Sequence, residues 1–110
     1  HVVRLARGFA RALIELRQDL GLPMRVNSCC RSADYNRLLR GHERSLHVYD
    51  HPHHPTGGTC AIDIHVPNNE YAWKLARIAM ERGWSVGRGE TFVHLDRRRD
   101  FDLPDGFFTY

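Results

Sequence analysis

Histidine and aspartate alternate with apolar residues in two short segments of this sequence. The segment AIDIHV carries Asp63 and His65, and the segment FVHLD carries His94 and Asp96. Successive side chains of a β-strand point to opposite faces, so each segment would present its polar pair on one face and its aliphatic residues on the other. Imidazole nitrogens and carboxylate oxygens are groups that ligate zinc or exchange protons.

Polar groups at the centre of a strand cost free energy unless they are paired or ligate a metal. Together with His47, these residues predict a zinc site of the His/Asp/His type, with three protein ligands and a fourth position open to water. The same spacing also fits side chains that face solvent or bond to one another. Spacing alone leaves both interpretations open.

The rest of the sequence predicts the elements that must position these residues. Apolar periodicity and stop signals predict helices over residues 2–20 (ending at Gly21), over 32–40 with Ser32 as the N-cap, and from Asn68 or Asn69 to Gly83. Strands are predicted over residues 24–29, 59–66, 84–86 and 92–95, with a Gly87–Gly89 turn between the last two. The sum is an α+β fold, a small, mostly antiparallel sheet with about three helices.

A chain of 110 residues has the size of one domain with one core. We therefore expect residues 1–110 to form a single domain, with the Pro-, Gly- and His-rich residues 48–58 as a loop insertion. No apolar run approaches the ~20 residues of a membrane span. Three cysteines without a CxxC pair predict buried, reduced thiols instead of a disulfide framework.

The positive charge of the chain is almost entirely arginine. Lys74 is the only lysine among 16 Lys+Arg, and the net charge is +3. The densest run, residues 97–99, lacks the aromatic residues that interleave with basic ones in RNA-binding motifs. Nucleic-acid binding is therefore the weakest of the functions considered, and we expect no nucleic-acid partner.

Four segments occur in an order typical of one family: SCCRSADYNRLL, SLH, GGTCAIDIHV and GRGETFVHLDRR. Across residues 25–98 the chain resembles zinc D-Ala-D-Ala carboxypeptidase-like metallopeptidases. Their superfamily includes phage L-alanyl-D-glutamate endopeptidases and the hedgehog domain. The resemblance implies their fold and one Zn²⁺ ion.

The resemblance also implies roles for single residues. His47, Asp63 and His94 match the first, second and third zinc ligands. Arg31 matches an arginine that contacts the substrate and can stabilise a developing oxyanion, although an ion pair at a helix start would explain an arginine there too. Ser45, in the Ser-Leu-His context, and Asp96 are expected to contribute to substrate binding.

The sequence departs from the family pattern between the first two ligands. Fifteen residues separate His47 from Asp63, where the family usually leaves a shorter gap. Three further histidines, His51, His53 and His54, lie in the extra stretch and could replace His47. Only His47 keeps the Ser-x-His context, so we favour it and expect the 48–58 loop to form a rim over the cleft.

A second departure concerns the catalytic base. Many relatives have a carboxylate three residues before the final histidine, where this chain has Thr91. Glu90 lies one residue earlier and, if the chain is extended there, shares the face of His94. We therefore expect Glu90 to be the general acid–base. Asp96 is the alternative base, but it fits better as a group that orients a ligand or the substrate.

By resemblance, the function is zinc-assisted hydrolysis of an amide bond in the peptidoglycan stem peptide. The family contains carboxypeptidases and endopeptidases, and both remain open. The expected location is the bacterial periplasm or cell wall, with a phage or prophage lysis (endolysin) or tail protein as one setting. The alternative is a non-catalytic, zinc-containing binding module for the cell wall or a protein partner, as the hedgehog domain illustrates.

Overall fold

Two α-helices and five strands make up the described part of the chain, a computed structural model that covers residues 4–29, 58–103 and 107–109. The helices are α1 (Phe9–Leu20) and α2 (Asn69–Glu81), and a 3₁₀ helix spans Arg98–Phe101. The strands are β1 (Val26–Ser28), β2 (Ala61–His65), β3 (Ser85–Arg88), β4 (Phe92–Asp96) and β5 (Phe107–Thr109). The α+β prediction is confirmed; the helix predicted over residues 32–40 lies outside the described residues.

The strands form one sheet in the order β1-β2-β4-β3-β5. All neighbours are antiparallel except β3 and β5, which are parallel. Strand β4 is therefore central, with β2 on one side and β3 on the other. Neither of the helices in the described residues is long and apolar enough to cross a membrane.

One face of the sheet supplies the hydrophobic core. Aliphatic residues of the three middle strands pack in one cluster with residues of both helices: Ile62, Ile64, Val86, Val93 and Leu95 from the strands, and Phe9, Leu16, Leu20, Leu75 and Ala79 from the helices. Burying this face removes a large apolar area from water, which fixes the register of each strand. The alternate residues of β2 and β4, including Asp63 and His94, must then project from the other face.

The first helix is shorter than its periodicity predicts. It begins at Phe9, because the backbone on either side of Leu5 pairs with Thr59 instead of forming helical hydrogen bonds. The N–H of Ala6 donates to the carbonyl of Thr59 at 2.8 Å, and the N–H of Thr59 donates to the carbonyl of Arg4 at 2.9 Å. Gly8, with φ +83°, separates this extended segment from the helix. The periodicity of the apolar residues carries no information about this pairing, because Thr59 is distant in the sequence.

The turn between β3 and β4 also differs from the prediction. Strand β3 continues through Gly87 and Arg88, which pair with His94 and Val93 of β4. The turn therefore starts at Gly89, whose N–H donates to the carbonyl of Phe92 at 2.9 Å. Pairing with β4 has overridden the turn preference of Gly87, whereas Gly89 lies in the turn as predicted.

The start of α2 is fixed by a side-chain cap, as the sequence predicts. The backbone N–H of Tyr71 donates to Oδ1 of Asn68 at 2.8 Å. We expect Asn68→Ala to lower the free energy of unfolding by about 1 kcal/mol, because a helix N–H loses its acceptor. Chemical denaturation measures this change. Asn68→Ser is the control and should retain most of the stability, since serine also caps helices; equal losses in both variants would contradict a capping role.

Candidate metal centre

Asp63 and His94 face each other across the antiparallel pair of β2 and β4. Their Cα positions are directly opposed in the register, and Gly87 lies opposite His94 on the other side. A directly opposed pair brings side chains of one face into contact. Since Gly87 has no side chain, the imidazole meets no side chain from that position of β3.

Both nitrogens of His94 lie next to carboxylate oxygens. Its Nδ1 is 2.9 Å from Oδ1 of Asp63, and its Nε2 is 2.8 Å from Oδ2 of Asp96. The histidine is 5 % exposed and Asp96 is completely buried, while the side chain of Asp63 is 14 % exposed. The three groups therefore form a series of hydrogen bonds that is largely shielded from solvent, and Asp63 is its most exposed member.

Arg98 extends this series of hydrogen bonds beyond Asp96. Its Nε donates to Oδ1 at 2.8 Å, a terminal nitrogen donates to Oδ2 at 2.6 Å, and its backbone N–H donates to Oδ1 at 3.1 Å. A bidentate guanidinium–carboxylate pair is among the stronger charge-assisted contacts in proteins. The otherwise costly buried charge of Asp96 is thereby compensated on one side by Arg98 and on the other by His94.

The electrostatics of the cluster follow from these contacts. Burial disfavours the charged imidazole, but the hydrogen bonds to Asp63 and Asp96 outweigh it and raise the pKa of His94 above its ordinary value. Burial likewise disfavours ionised Asp96, but Arg98 and His94 outweigh it and lower the pKa of that carboxyl. The cluster is thus built to hold positive charge between two carboxylates.

The donor set of Asp63 and His94 fits a zinc ion. When Nε2 of His94 donates its proton to Asp96, Nδ1 carries a lone pair on the side of Asp63, which is the tautomer that ligates a metal. Zinc takes such nitrogen and carboxylate ligands. A metal ion held by both groups would take over the role of the Nδ1 proton as the positive charge between ring and carboxylate.

The structure brings together three of the predicted site residues, namely Asp63, His94 and Asp96. The others between residues 30 and 57 lie outside the described residues: Arg31, Ser45, His47, His51, His53 and His54. Within the described ranges no group of three or more His, Cys, Asp or Glu is arranged to hold a metal ion. The assignment of His47 as the first ligand of the set stays a prediction.

Glu90 occupies the turn before β4 and is exposed. The strand begins only at Phe92, so the alternation that would turn Glu90 toward His94 does not extend to it. Glu90 therefore belongs to the exposed turn that connects β3 to β4. Its role as the base stays a prediction.

Sequence reasoning missed the role of Arg98. In the sequence, residues 97–99 suggest only a surface for nucleic acid, but Arg97 and Arg98 both make contacts within the chain. Arg98 holds Asp96, while Arg97 pairs with Asp100 at 2.9 Å and lies 5.1 Å over the ring of Trp84. The signal was the position of an arginine two residues after an aspartate that ends a strand.

Cys60 is a buried thiol, as predicted. Burial, with a contribution from the charge of Asp96, raises its pKa to about 12. A thiol that stays protonated is a poor nucleophile and a poor metal ligand. Although it lies next to β2, Cys60 therefore belongs to the core and not to the candidate centre.

Comparison with known protein families gives one match that covers most of the chain. Residues 4–96 match the sequence profile of the family described as peptidase M15, whose members are generally zinc-dependent metallopeptidases. No curated protein and no solved structure matches the chain. The match spans most of the 110 residues and includes both strands of the candidate centre. The chain belongs to the peptidase M15 family.

Proposed function

We propose that this domain is a zinc-dependent peptidase that hydrolyses an amide bond in the stem peptide of peptidoglycan. The observation that carries the proposal is His94, held between Asp63 and Asp96 in a chain that belongs to the M15 family. The ligand set would be Asp63, His94 and His47, for one zinc ion. Family membership supports a peptidoglycan-type substrate, and both carboxypeptidase and endopeptidase cleavage are retained.

The residues of this chain would divide the chemistry among them. A zinc ion at this site would supply a water of lowered pKa and polarise the scissile carbonyl. Glu90 would accept the proton of the attacking water and pass one to the leaving amine. Arg31, with its planar guanidinium, would stabilise charge on the carbonyl oxygen, and Ser45 would contribute to binding the peptide.

Asp96 has a more specific place than substrate binding alone suggests. Its carboxylate is completely buried and bonded to His94 and Arg98, so it would act on the substrate through the orientation of His94. A carboxylate that fixes the tautomer of a ligating histidine is a common feature of zinc sites. We therefore assign Asp96 to the support of the metal ligand, and leave proton transfer to Glu90.

The proposed setting is the bacterial cell wall or periplasm, with a phage or prophage lysis or tail protein as one source of such a domain. The substrate proposal is tested by metal analysis of the purified chain followed by mass spectrometry of digested peptidoglycan. We expect one zinc per chain and new stem-peptide fragments whose masses identify the bond. A zinc-loaded chain that leaves every wall preparation intact would favour the binding-module alternative, in which the exposed position of Glu90 has no catalytic meaning.

The histidines of the 48–58 loop provide a separate test of the ligand set. We expect the triple variant His51→Asn, His53→Asn and His54→Asn to keep zinc near one per chain, because His47 is the proposed ligand. The matched variant His47→Asn should lose the metal. Atomic absorption after dialysis measures both. Loss of zinc from the triple variant with retention in His47→Asn would transfer the ligand role to the loop.

A further inference from the structure

Arg98 lies behind the candidate centre, where its side chain contacts Asp96. Its guanidinium plane meets both oxygens of Asp96, and the backbone N–H of Arg98 adds a third bond to Oδ1. The two residues are only two positions apart, where β4 passes into the 3₁₀ helix. The carboxylate of Asp96 therefore accepts hydrogen bonds from both the side chain and the main chain of Arg98.

We propose that Arg98 is a positioning residue that sets the metal affinity of His94 through Asp96. Three bonds from Arg98 fix the rotation of the Asp96 carboxylate, which leaves Oδ2 aimed at Nε2 of His94. An acceptor fixed in this way favours the tautomer in which Nε2 carries the proton, so that Nδ1 presents its lone pair toward Asp63. This inference rests on the proposed zinc site.

A guanidinium suits this position better than an ammonium. Arginine presents donors in a planar fork that matches both carboxylate oxygens, whereas lysine offers a single point charge. The side chain of Arg98 is 24 % exposed while that of Asp96 is completely buried, so the pair lets the charge of Asp96 stay buried next to the metal ligand. Without the guanidinium, Asp96 would be free to rotate or to attract water.

The first experiment measures zinc affinity by competition with a chelator. Asp96→Asn, which alters the acceptor bonded to His94, should weaken zinc binding about 10- to 100-fold, and Arg98→Gln should weaken it about 10-fold. Arg98→Lys should recover part of the loss, since it restores charge but not the fork. Arg99→Gln, an exposed neighbour that makes the same change in charge, is the matched control and should bind zinc as the unchanged chain does.

A double-mutant cycle separates positioning from general damage. If Arg98 acts only through Asp96, adding Arg98→Gln to Asp96→Asn should cost no further affinity, because the mediator is already lost. Additive losses in the double variant would overturn the inference. The ¹⁵N resonances of His94, measured in the metal-free chain at a pH above the pKa of His94 so that the ring is neutral, give a second measure: Arg98→Gln should shift them toward a mixture of tautomers, while Arg99→Gln should not. Unchanged resonances would also count against it.

These measurements do not depend on hydrolysis, so the two proposals can fail separately. A chain that cleaves peptidoglycan but binds zinc equally well with Arg98→Gln would overturn the positioning role and leave the peptidase proposal intact. A chain whose zinc affinity falls as expected, but which cleaves no wall preparation, would sustain the positioning role and remove the catalytic one.

Discussion

Replacing His94 with alanine is expected to reduce the zinc content of the chain from one ion to nearly none and to abolish hydrolysis. His94 supplies the only imidazole that the structure places against Asp63 among the described residues. Alanine removes the proposed ligand nitrogen and leaves the buried carboxylate of Asp96 with Arg98 but without its bond to His94. Metal analysis after dialysis and a peptidoglycan digestion assay measure the two losses.

Two further variants make this expectation specific. Asp63→Asn keeps the size of the side chain but loses its charge, so it should lose zinc with less disturbance of the fold. His65→Ala removes a half-buried histidine from the strand of Asp63, opposite Phe92 and two register positions from the Asp63–His94 pair, and should keep zinc. Retention of one zinc by both His94→Ala and Asp63→Asn, in chains that remain folded, would end the assignment of this centre.

Glu90→Gln is expected to lower turnover by about 100- to 10,000-fold while zinc binding is preserved, which is the range that general acid–base catalysis contributes. Glutamine keeps the size of the side chain but cannot accept the proton of the attacking water. Because Glu90 lies exposed in the turn before β4, the substitution should not disturb the core. Steady-state kinetics on purified peptidoglycan fragments, with metal content measured in parallel, tests this result.

The control for Glu90 is another exposed glutamate outside the site. Glu81 lies at the end of α2, where it pairs with Arg77 at 3.6 Å on the surface. Glu81→Gln should leave turnover unchanged. If Glu90→Gln hydrolyses normally while Asp96→Asn is metal-loaded and inactive, the role of base passes to Asp96, and the positioning role argued for Arg98 would then become part of the catalytic step.

Much of the fold could be predicted from the sequence because its signals are local. The sequence predicts Asn68 as a possible helix cap, and the apolar alternation of FVHLD and AIDIHV correctly separates the side chains of the hydrophobic core from those on the opposite face of the sheet, where His94 and Asp96 are also buried. Both features depend on the residues of one element and on the burial of one face. The start of α1 and the end of β3 were misplaced, because distant backbone partners, Thr59 and β4, decide them.

The chemistry of the site divides in the same way. The sequence by itself determined that Asp63 lies on the polar face of its strand, and that His94 and Asp96 share the polar face of theirs, since side-chain alternation has a period of two residues. Only the tertiary structure decided that Asp63 is directly opposite His94, because the register between strands depends on which apolar faces are buried together. It also decided that Arg98 turns inward onto Asp96: a buried carboxylate needs a positive partner, and neither its burial nor that partner can be read from an arginine-rich run.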